Sequence, residues 1–240
     1  LNNVYDLLMV AAKPKDIPLD KIFTGEAQMK RATEVKSKIH TPEDSWNIKN
    51  RVSFCLMKYQ EYSSVLDSML QDILEPIMKF MQQYIRKSCA AGEHVVPSDT
   101  VALFEILYNI CNVRGYKTVV KFFPHEAADM EPCVEMLHFQ EPDINQHVVP
   151  CMLVLWLSII VLVPFDLNTI DSKKAGDSYE ILVKRIINIC RENFNSAGKL
   201  RDYSAVLLSK LLTRPDVIKQ GVTDDFLKEI AKTYVDGKEE

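Results

Sequence analysis

The most constraining feature of the sequence is an apolar stretch at residues 148–166, VVPCMLVLWLSIIVLVPFD, which carries no charge before its last residue. Pro150 and Pro164 bracket a run that can be helical from Cys151 to Val163, about 20 Å long at about 1.5 Å per residue. A bilayer core is about 30 Å thick, so a run of this length is more typical of a buried helix than of a membrane span.

The flanks of the stretch favour the same interpretation. The nearest basic residues are Lys121 and Lys173, so neither end has the positive anchor that a membrane-spanning helix uses. We therefore expect a core helix without a membrane span, in which Trp156 and Leu157 are almost completely buried.

Residues typical of helix starts and ends recur from residue 41 onwards. The sequence TPED at 41–44 predicts a helix start with Thr41 as N-cap and acidic residues in the first turn. A second helix is predicted near Asp67, because apolar residues then recur at helical spacing: Leu66, Met69, Leu70, Ile73, Leu74, Ile77, Met81 and Ile85. Pro76 lies on the polar side of this pattern, so a kink or break is expected just before it.

Later helix boundaries are predicted from the same signals. Ser98, Ser196 and Thr223 each precede an apolar-periodic segment and are expected to act as N-caps. Gly115 suits the position that follows a helix C-terminus, and a further helix is expected to begin near residue 178.

Alternating strand-like patterns are almost absent, so the sequence predicts an all-α fold. Several helices are apolar over wide arcs, which suits an α-solenoid of stacked antiparallel helix pairs, HEAT/armadillo-like, with repeats of about 40–47 residues. We assign residues 41–240 to such repeats and find residues 1–40 hard to interpret. No internal repeat is visible in the sequence, so a globular helical bundle is the alternative.

The composition excludes several classes of function. A net charge of −4 argues against nucleic-acid binding by the chain as a whole. The six cysteines are dispersed, form no CxxC and lie mostly in apolar patterns, which indicates reduced thiols rather than disulfides. Zinc-type Cys/His spacing is also missing from the sequence, so we expect no metal site.

Catalytic motifs are missing as well. His125, Glu126 and Asp129 form H-E-x-x-D, a relative of the zincin motif, but Pro124 before them favours a solvated helix start. The sequence contains no G-x-S-x-G, P-loop or glycine-rich dinucleotide turn. We therefore expect neither an enzyme nor a bound cofactor.

The charge distribution changes sharply at Lys173. Residues 122–172 contain eight acidic residues and no Lys or Arg, whereas residues 173–219 contain ten basic residues and five acidic ones. Two interpretations are open: ordinary solvated surfaces, or basic helices that face an acidic partner. The basic residues of the second interpretation are Lys184, Arg185, Arg191, Lys199, Arg201 and Lys210.

A second candidate surface is the turn around Gly115. Arg114, Tyr116 and Lys117 surround this glycine, and turns of stacked-helix arrays often carry partner-binding side chains. A structural role is the alternative, with Arg114 bonded to the acidic turn that follows.

Several stretches carry a family resemblance through their order and spacing: KYQE (58–61), VLDSML (65–70), VRGYKTVVKFFPHEAADMEP (113–132), LWLS (155–158), VPFDL (163–167) and TRPDV (213–217). Over about residues 46–235 the chain resembles the tubulin-folding cofactor D family, whose members are large HEAT/armadillo solenoids. The block at 113–132 is the most specific, because no general helix rule requires it.

The resemblance implies a non-catalytic chaperone scaffold, of which this chain would be an N-terminal fragment. Such cofactors capture β-tubulin and work with partner cofactors C and E to assemble or dismantle the αβ-tubulin heterodimer. The resemblance also implies association with an ADP-ribosylation-factor-like small GTPase, stimulation of GTP hydrolysis on tubulin, and a cytoplasmic, cytoskeleton-associated location.

Two other functions are compatible with a helical chain. An unrelated HEAT/armadillo adaptor would share the fold and bind a different acidic protein. A small helical hydrolase is disfavoured, because no set of nucleophile, base and orienting residue can be assembled from the sequence.

Overall fold

The computed structural model of the chain describes residues 1–35, 41–139, 147–167, 182–196 and 198–236. Every regular element in these ranges is a helix, which confirms the all-α prediction. The α-helices are α1 (Asn2–Ala12), α2 (Leu19–Ile22), α3 (Glu26–Glu34), α4 (Pro42–Met57), α5 (Asp67–Ala91), α6 (Ser98–Ile110), α7 (Tyr116–Val119), α8 (Met130–His138), α9 (Val148–Ile160), α10 (Leu182–Phe194), α11 (Lys199–Leu212), α12 (Pro215–Lys219) and α13 (Val222–Asp236).

The long helices pack mainly on helices that are near them in the chain. Helix α6 contacts both α4 and α9, α11 contacts both α9 and α10, and α8 contacts both α5 and α9. Helices such as α6 and α9 must therefore be apolar on more than one side, as the sequence indicates. This arrangement confirms the predicted α-solenoid.

Helix α9 lies at the centre of this packing. It begins three residues earlier than predicted, at Val148, and ends at Ile160. Pro150 falls in its first turn, where a missing N–H breaks no intrahelical bond. Trp156 and Leu157 are 1% and 0% exposed, which confirms the core-helix prediction.

No helix within the described ranges combines the length and the apolar character that crossing a bilayer requires.

The N-terminal segment also folds onto the core. Tyr5, Leu7 and Leu8 of α1 are buried, and α1 contacts α4, α5 and α6. The Tyr5 hydroxyl donates a hydrogen bond of 3.1 Å to the carbonyl of Asp72. The segment that was hard to interpret from sequence thus shares one hydrophobic core with the later helices.

The predicted cap of α4 is confirmed. The Thr41 hydroxyl accepts a hydrogen bond of 3.2 Å from the Asp44 backbone N–H. The Asp44 carboxylate in turn accepts one of 2.9 Å from the Thr41 N–H, which completes a capping box.

The three other predicted caps are wrong: Ser98, Ser196 and Thr223. Pro97 is the N-cap of α6, and Gly198, with a φ of +76°, is the N-cap of α11. Thr223 lies inside α13, and its hydroxyl donates a hydrogen bond of 2.8 Å to the Leu212 carbonyl. A hydroxyl that reaches a neighbouring helix is no longer available to its own backbone.

The predicted helix break just before Pro76 is also wrong, because α5 continues through this residue. Pro76 is buried rather than on the polar side of the helix. Leu74 and Ile77 on either side of it are 0% exposed, so their burial holds both halves in place although the proline removes one backbone hydrogen bond.

Candidate partner-binding surfaces

The predicted basic face lies on α10. Lys184 is exposed and Arg185 is half-buried. Arg191 Nη2 lies 2.5 Å from Glu229 Oε2, and its guanidinium lies 5.1 Å from the centre of the Phe226 ring. Arg191 is therefore engaged within the chain. The predicted start of this helix near residue 178 lies outside the described residues.

A cavity of about 180 Å³ lies between α10 and α13, beside this ion pair. Lys184 and Arg191 line one side, and Asp225 and Glu229 line the other. The acidic residues of α13 therefore offset part of the positive potential that the sequence of α10 indicates. A negatively charged partner would meet a surface of mixed sign here.

The turn around Gly115 is held by an ion pair. Arg114 Nε and Nη2 donate to the two carboxylate oxygens of Asp67 at 2.5 and 2.8 Å, a bidentate geometry. The hydrogen bond from Arg114 lowers the pKa of Asp67. Arg114 thus has a structural role, but its partner is the start of α5 and not the acidic turn after it. Gly115 has a φ of +90°, a region that side chains disfavour.

The other two residues of this turn differ in environment. The Tyr116 ring packs against the Tyr203 ring of α11, with 5.4 Å between centres. Lys117 is exposed. Arg114 and Tyr116 therefore contribute to packing, while Lys117 is accessible to a partner; a partner-binding role of this turn stays a prediction.

Two of the three H-E-x-x-D residues, Glu126 and Asp129, bind the same arginine. Arg86 binds Asp129 Oδ1 through Nε at 2.5 Å and Glu126 Oε2 through Nη2 at 2.6 Å. Gln82 donates to the other Asp129 oxygen at 2.7 Å. Burial raises the pKa of Asp129, and the Arg86 hydrogen bond lowers that of Glu126. These carboxylates serve an ion-pair network rather than a zincin site.

The structure reveals a surface that the sequence reasoning missed. Large apolar side chains on α4 and in the segment leading to α5 are exposed, and we call them the α4 apolar face: Trp46, Phe54, Met57, Tyr62 and Val65. Phe54 is 65% exposed and Tyr62 is 72% exposed. Exposed apolar side chains in such a group are typical of an interaction surface.

A signal for this surface exists in the sequence of α4. At about 100° per residue, Trp46, Phe54 and Met57 fall within an arc of about 80°. Ile48 and Leu56, which are buried, lie about 160° and about 120° from the middle of this arc. Helix α4 is therefore apolar on two faces, and among the described residues packing covers only one of them.

The stretches that carried the family resemblance contact one another across helices. Besides the Arg114–Asp67 pair, the contacts are Trp156 Nε1 to Pro124 O at 2.7 Å, Arg214 Nη1 to Val163 O at 2.8 Å, Arg214 Nη2 to Phe165 O at 2.7 Å, and Leu167 N to Asp216 Oδ2 at 3.0 Å. Because they join distant parts of the chain, these residues specify how the helices pack.

The comparison with known proteins agrees with this pattern. Residues 56–234 match the family described as tubulin-specific chaperone D-like, ARM repeat. The chain belongs to this family. Its helical stack is therefore an ARM-repeat array, and all six stretches that carry the resemblance lie within the matched region.

Two curated relatives are similar over most of this chain. Tubulin-specific chaperone D of Dictyostelium discoideum is 23% identical, covering 70% of this chain and 17% of the relative. Tubulin-folding cofactor D of Schizosaccharomyces pombe is 28% identical, covering 67% and 13%. The chain thus spans less than a fifth of either relative. No solved structure matches the chain.

Proposed function

We propose that this chain is a segment of a scaffold that captures β-tubulin and takes part in assembly and disassembly of the αβ-tubulin heterodimer. The observation that carries the proposal is membership of the tubulin-specific chaperone D-like family over residues 56–234. The names of both relatives, a tubulin-specific chaperone and a tubulin-folding cofactor, support tubulin as the client.

The proposal extends to the partners that the resemblance implies. The complete protein would act with tubulin-folding cofactors C and E and with an ADP-ribosylation-factor-like small GTPase. It would support GTP hydrolysis by tubulin, in the cytoplasm and in association with the cytoskeleton. The resemblance also implies that the nucleotide site belongs to tubulin.

A non-catalytic role fits the chemistry of the buried thiols. Burial raises the pKa of Cys111, Cys151 and Cys190 to about 12, so these thiols are protonated at neutral pH. A protonated thiol is a poor nucleophile. These side chains therefore act as small apolar core residues.

The family match excludes an unrelated HEAT/armadillo adaptor. The remaining alternative is that this segment is an adaptor for an acidic protein other than tubulin. Both hypotheses share the fold and differ in the partner. Direct binding of the purified chain to native tubulin, measured by biolayer interferometry, separates them. We expect saturable binding; its absence, together with capture of a different acidic protein from cytosol, would favour the adaptor.

Charge reversal on α10 tests where tubulin binds. We expect Lys184→Glu plus Arg185→Glu to slow association with tubulin at low salt, because both basic groups attract an acidic partner. The difference from the parent should shrink as salt is raised, because salt screens the field. The measurement is the association rate across a salt series.

The matched control changes the same net charge elsewhere. Lys13 and Lys21 are exposed and lie in the N-terminal part of the chain. A Lys13→Glu plus Lys21→Glu variant should bind almost as fast as the parent. Equal rates for all three proteins at low salt would show that the α10 face is merely solvated.

A further inference from the structure

Three side chains with metal-binding atoms meet where α5 ends and α8 packs against it. They are Cys89 in the last turn of α5, His94 just after that helix, and Glu135 on α8. The Cys89 sulfur, a ring nitrogen of His94 and a Glu135 carboxylate oxygen lie within 4.8 Å of one another. The His94 Nε2 to Glu135 Oε1 distance is 4.0 Å.

The chain reversal after α5 produces this proximity. Gly92 has a φ of +67°, and its N–H donates to the Cys89 carbonyl at 3.1 Å. The next N–H, of Glu93, donates to the Ser88 carbonyl at 2.9 Å, which completes a helix-ending motif. The reversal returns His94 to the side of Cys89, five residues earlier in the sequence.

Contacts from other elements hold the reversed segment in place. Tyr84 donates a hydrogen bond of 3.3 Å to the Val95 carbonyl, and Lys15 forms an ion pair with Glu93. The Phe139 ring stacks on the imidazole of His94 at 3.9 Å between centres. Two of the three ligand residues therefore sit on a constrained backbone, and the plane of the imidazole ring is restricted.

We propose that Cys89, His94 and Glu135 bind one Zn²⁺ ion, with a water molecule as fourth ligand. Thiolate, imidazole and carboxylate are the zinc ligands of proteins, at about 2.0–2.3 Å from the metal. Ligand atoms around a tetrahedral ion are then about 3.3–3.8 Å apart. A contraction of about 1 Å completes the site, and the partly exposed side chains of His94 and Glu135 can supply it.

Zinc binding has a defined proton balance. The Cys89 thiol donates to the Pro132 carbonyl at 3.4 Å. On binding zinc the thiol loses its proton to solvent and the sulfur bonds to the metal. The ion would then join the end of α5 to α8, so it would stabilise the contact between these two helices. The expectation of no metal site rested on sequence spacing, which does not reveal a ligand brought in from another helix.

The test uses the 240-residue chain, stripped of metal with a chelator and titrated with Co²⁺ and then Zn²⁺. We expect one equivalent of Co²⁺ to produce a thiolate-to-cobalt charge-transfer band, and Zn²⁺ to abolish it by displacement. Zn²⁺ should also raise the melting temperature, because it binds the folded state. A chain that gives no such band with Co²⁺ and no thermal shift with Zn²⁺ would overturn the proposal.

Ligand variants locate the site. We expect Cys89→Ser to abolish the charge-transfer band, and His94→Gln and Glu135→Gln each to lower zinc affinity at least about tenfold. Cys55→Ser is the matched control, because Cys55 is exposed and lies on α4. It should keep the band and the affinity. Retention of both by Cys89→Ser, or their loss in Cys55→Ser, would place the metal elsewhere and contradict the proposal.

Two safeguards keep the result interpretable. Far-ultraviolet circular dichroism of each metal-free variant checks that it folds, and His94→Gln and Glu135→Gln provide independent tests if Cys89→Ser does not. None of these measurements involves tubulin, so the outcome is independent of the proposed function.

Discussion

At the scale of single residues, buried ion pairs connect helices that are distant in sequence. Asp129 is 0% exposed, and its two oxygens accept hydrogen bonds from Arg86 and Gln82 of α5. A buried carboxylate is tolerated only where such partners compensate for lost hydration. The ion pair therefore links α5 to the segment that precedes α8.

Substitution of Arg86 tests how strongly the buried Asp129 carboxylate depends on its cationic partner. We expect Arg86→Ala to lower the free energy of unfolding by about 3 kcal/mol, because it leaves the Asp129 carboxylate buried without its cation. Urea denaturation measures the change. Arg201 is exposed, so Arg201→Ala should change stability by less than about 0.5 kcal/mol. Similar losses in both variants would contradict this role of Arg86.

The Arg114–Asp67 pair should give stability a specific pH dependence. The Arg114 hydrogen bond holds the pKa of Asp67 below its usual value in the folded state. The contribution is thus fully present above the unfolded pKa and is lost as pH falls through the folded pKa. In Arg114→Met the pKa of Asp67 should rise, and the difference in melting temperature from the parent should shrink on acidification.

Carboxyl-carbon NMR titration of Asp67 and thermal melts at a series of pH values provide the two measurements. Arg114→Met leaves the Asp67 carboxylate at the start of α5, so its favourable interaction with the helix dipole is unchanged. An Asp67 pKa that is the same in parent and variant would show that the ion pair does not form in solution.

At the scale of elements, α9 is the helix on which its neighbours assemble. It contacts α6, α8 and α11. Its polar groups are also satisfied by neighbours: Lys210 donates to the Ser158 carbonyl at 3.0 Å, and Arg214 donates to carbonyls just beyond its C-terminus. Burial lowers the pKa of Lys210. A C-terminus buried in this way needs such donors, since its last carbonyls have no intrahelical partner.

The two tryptophans provide an internal comparison of burial. Trp156→Ala should lower the free energy of unfolding by about 3–5 kcal/mol, because a large core side chain is lost. Trp46 is 59% exposed, so Trp46→Ala should have little effect on stability. Trp156→Phe removes the hydrogen bond to Pro124 together with part of the ring, so its cost should exceed about 1 kcal/mol and stay below that of Trp156→Ala. Equal effects of the two alanine substitutions in chemical denaturation would contradict the assignment of α9 to the core.

At the scale of the whole molecule, two surfaces of different chemistry are available to a partner. The face of α10 combines Lys184 and Arg191 with acidic residues of α13, whereas the α4 apolar face carries exposed aromatic side chains. A lysine near the α4 apolar face also lies over one of these rings: Lys58 Nζ is 4.6 Å from the centre of the Phe54 ring. Charged and apolar contacts respond differently to salt.

If tubulin binds to the α4 apolar face, Trp46→Ser plus Phe54→Ser should weaken binding at every salt concentration. The loss should persist at high salt, in contrast to that of the α10 charge reversal, because apolar burial is not screened. Dissociation rates across the same salt series measure it. A double variant that folds and dissociates at the parental rate would exclude this face from the tubulin contact.

Much of the fold could be predicted from sequence because its determinants are local. Periodic apolar residues and the Thr41 capping box act within a few residues of the chain, and both predictions are confirmed. The core position of α9 followed from its length and lack of charge. The predicted caps at Ser98, Ser196 and Thr223 failed, because Pro97 and Gly198 occupy the N-cap positions of α6 and α11 and the Thr223 hydroxyl binds the Leu212 carbonyl instead.

Tertiary structure alone decided which side chains meet. The sequence showed that Arg191 is basic, but not that Glu229 lies beside it. It placed Trp46 and Phe54 on a helix, but did not reveal that both side chains are exposed. The meeting of Cys89 with Glu135 likewise depends on how α8 packs against α5. The physical reason is that backbone hydrogen bonds and apolar spacing act over a few residues, whereas ion pairs, cavities and ligand sets depend on distances that only the packed helices define.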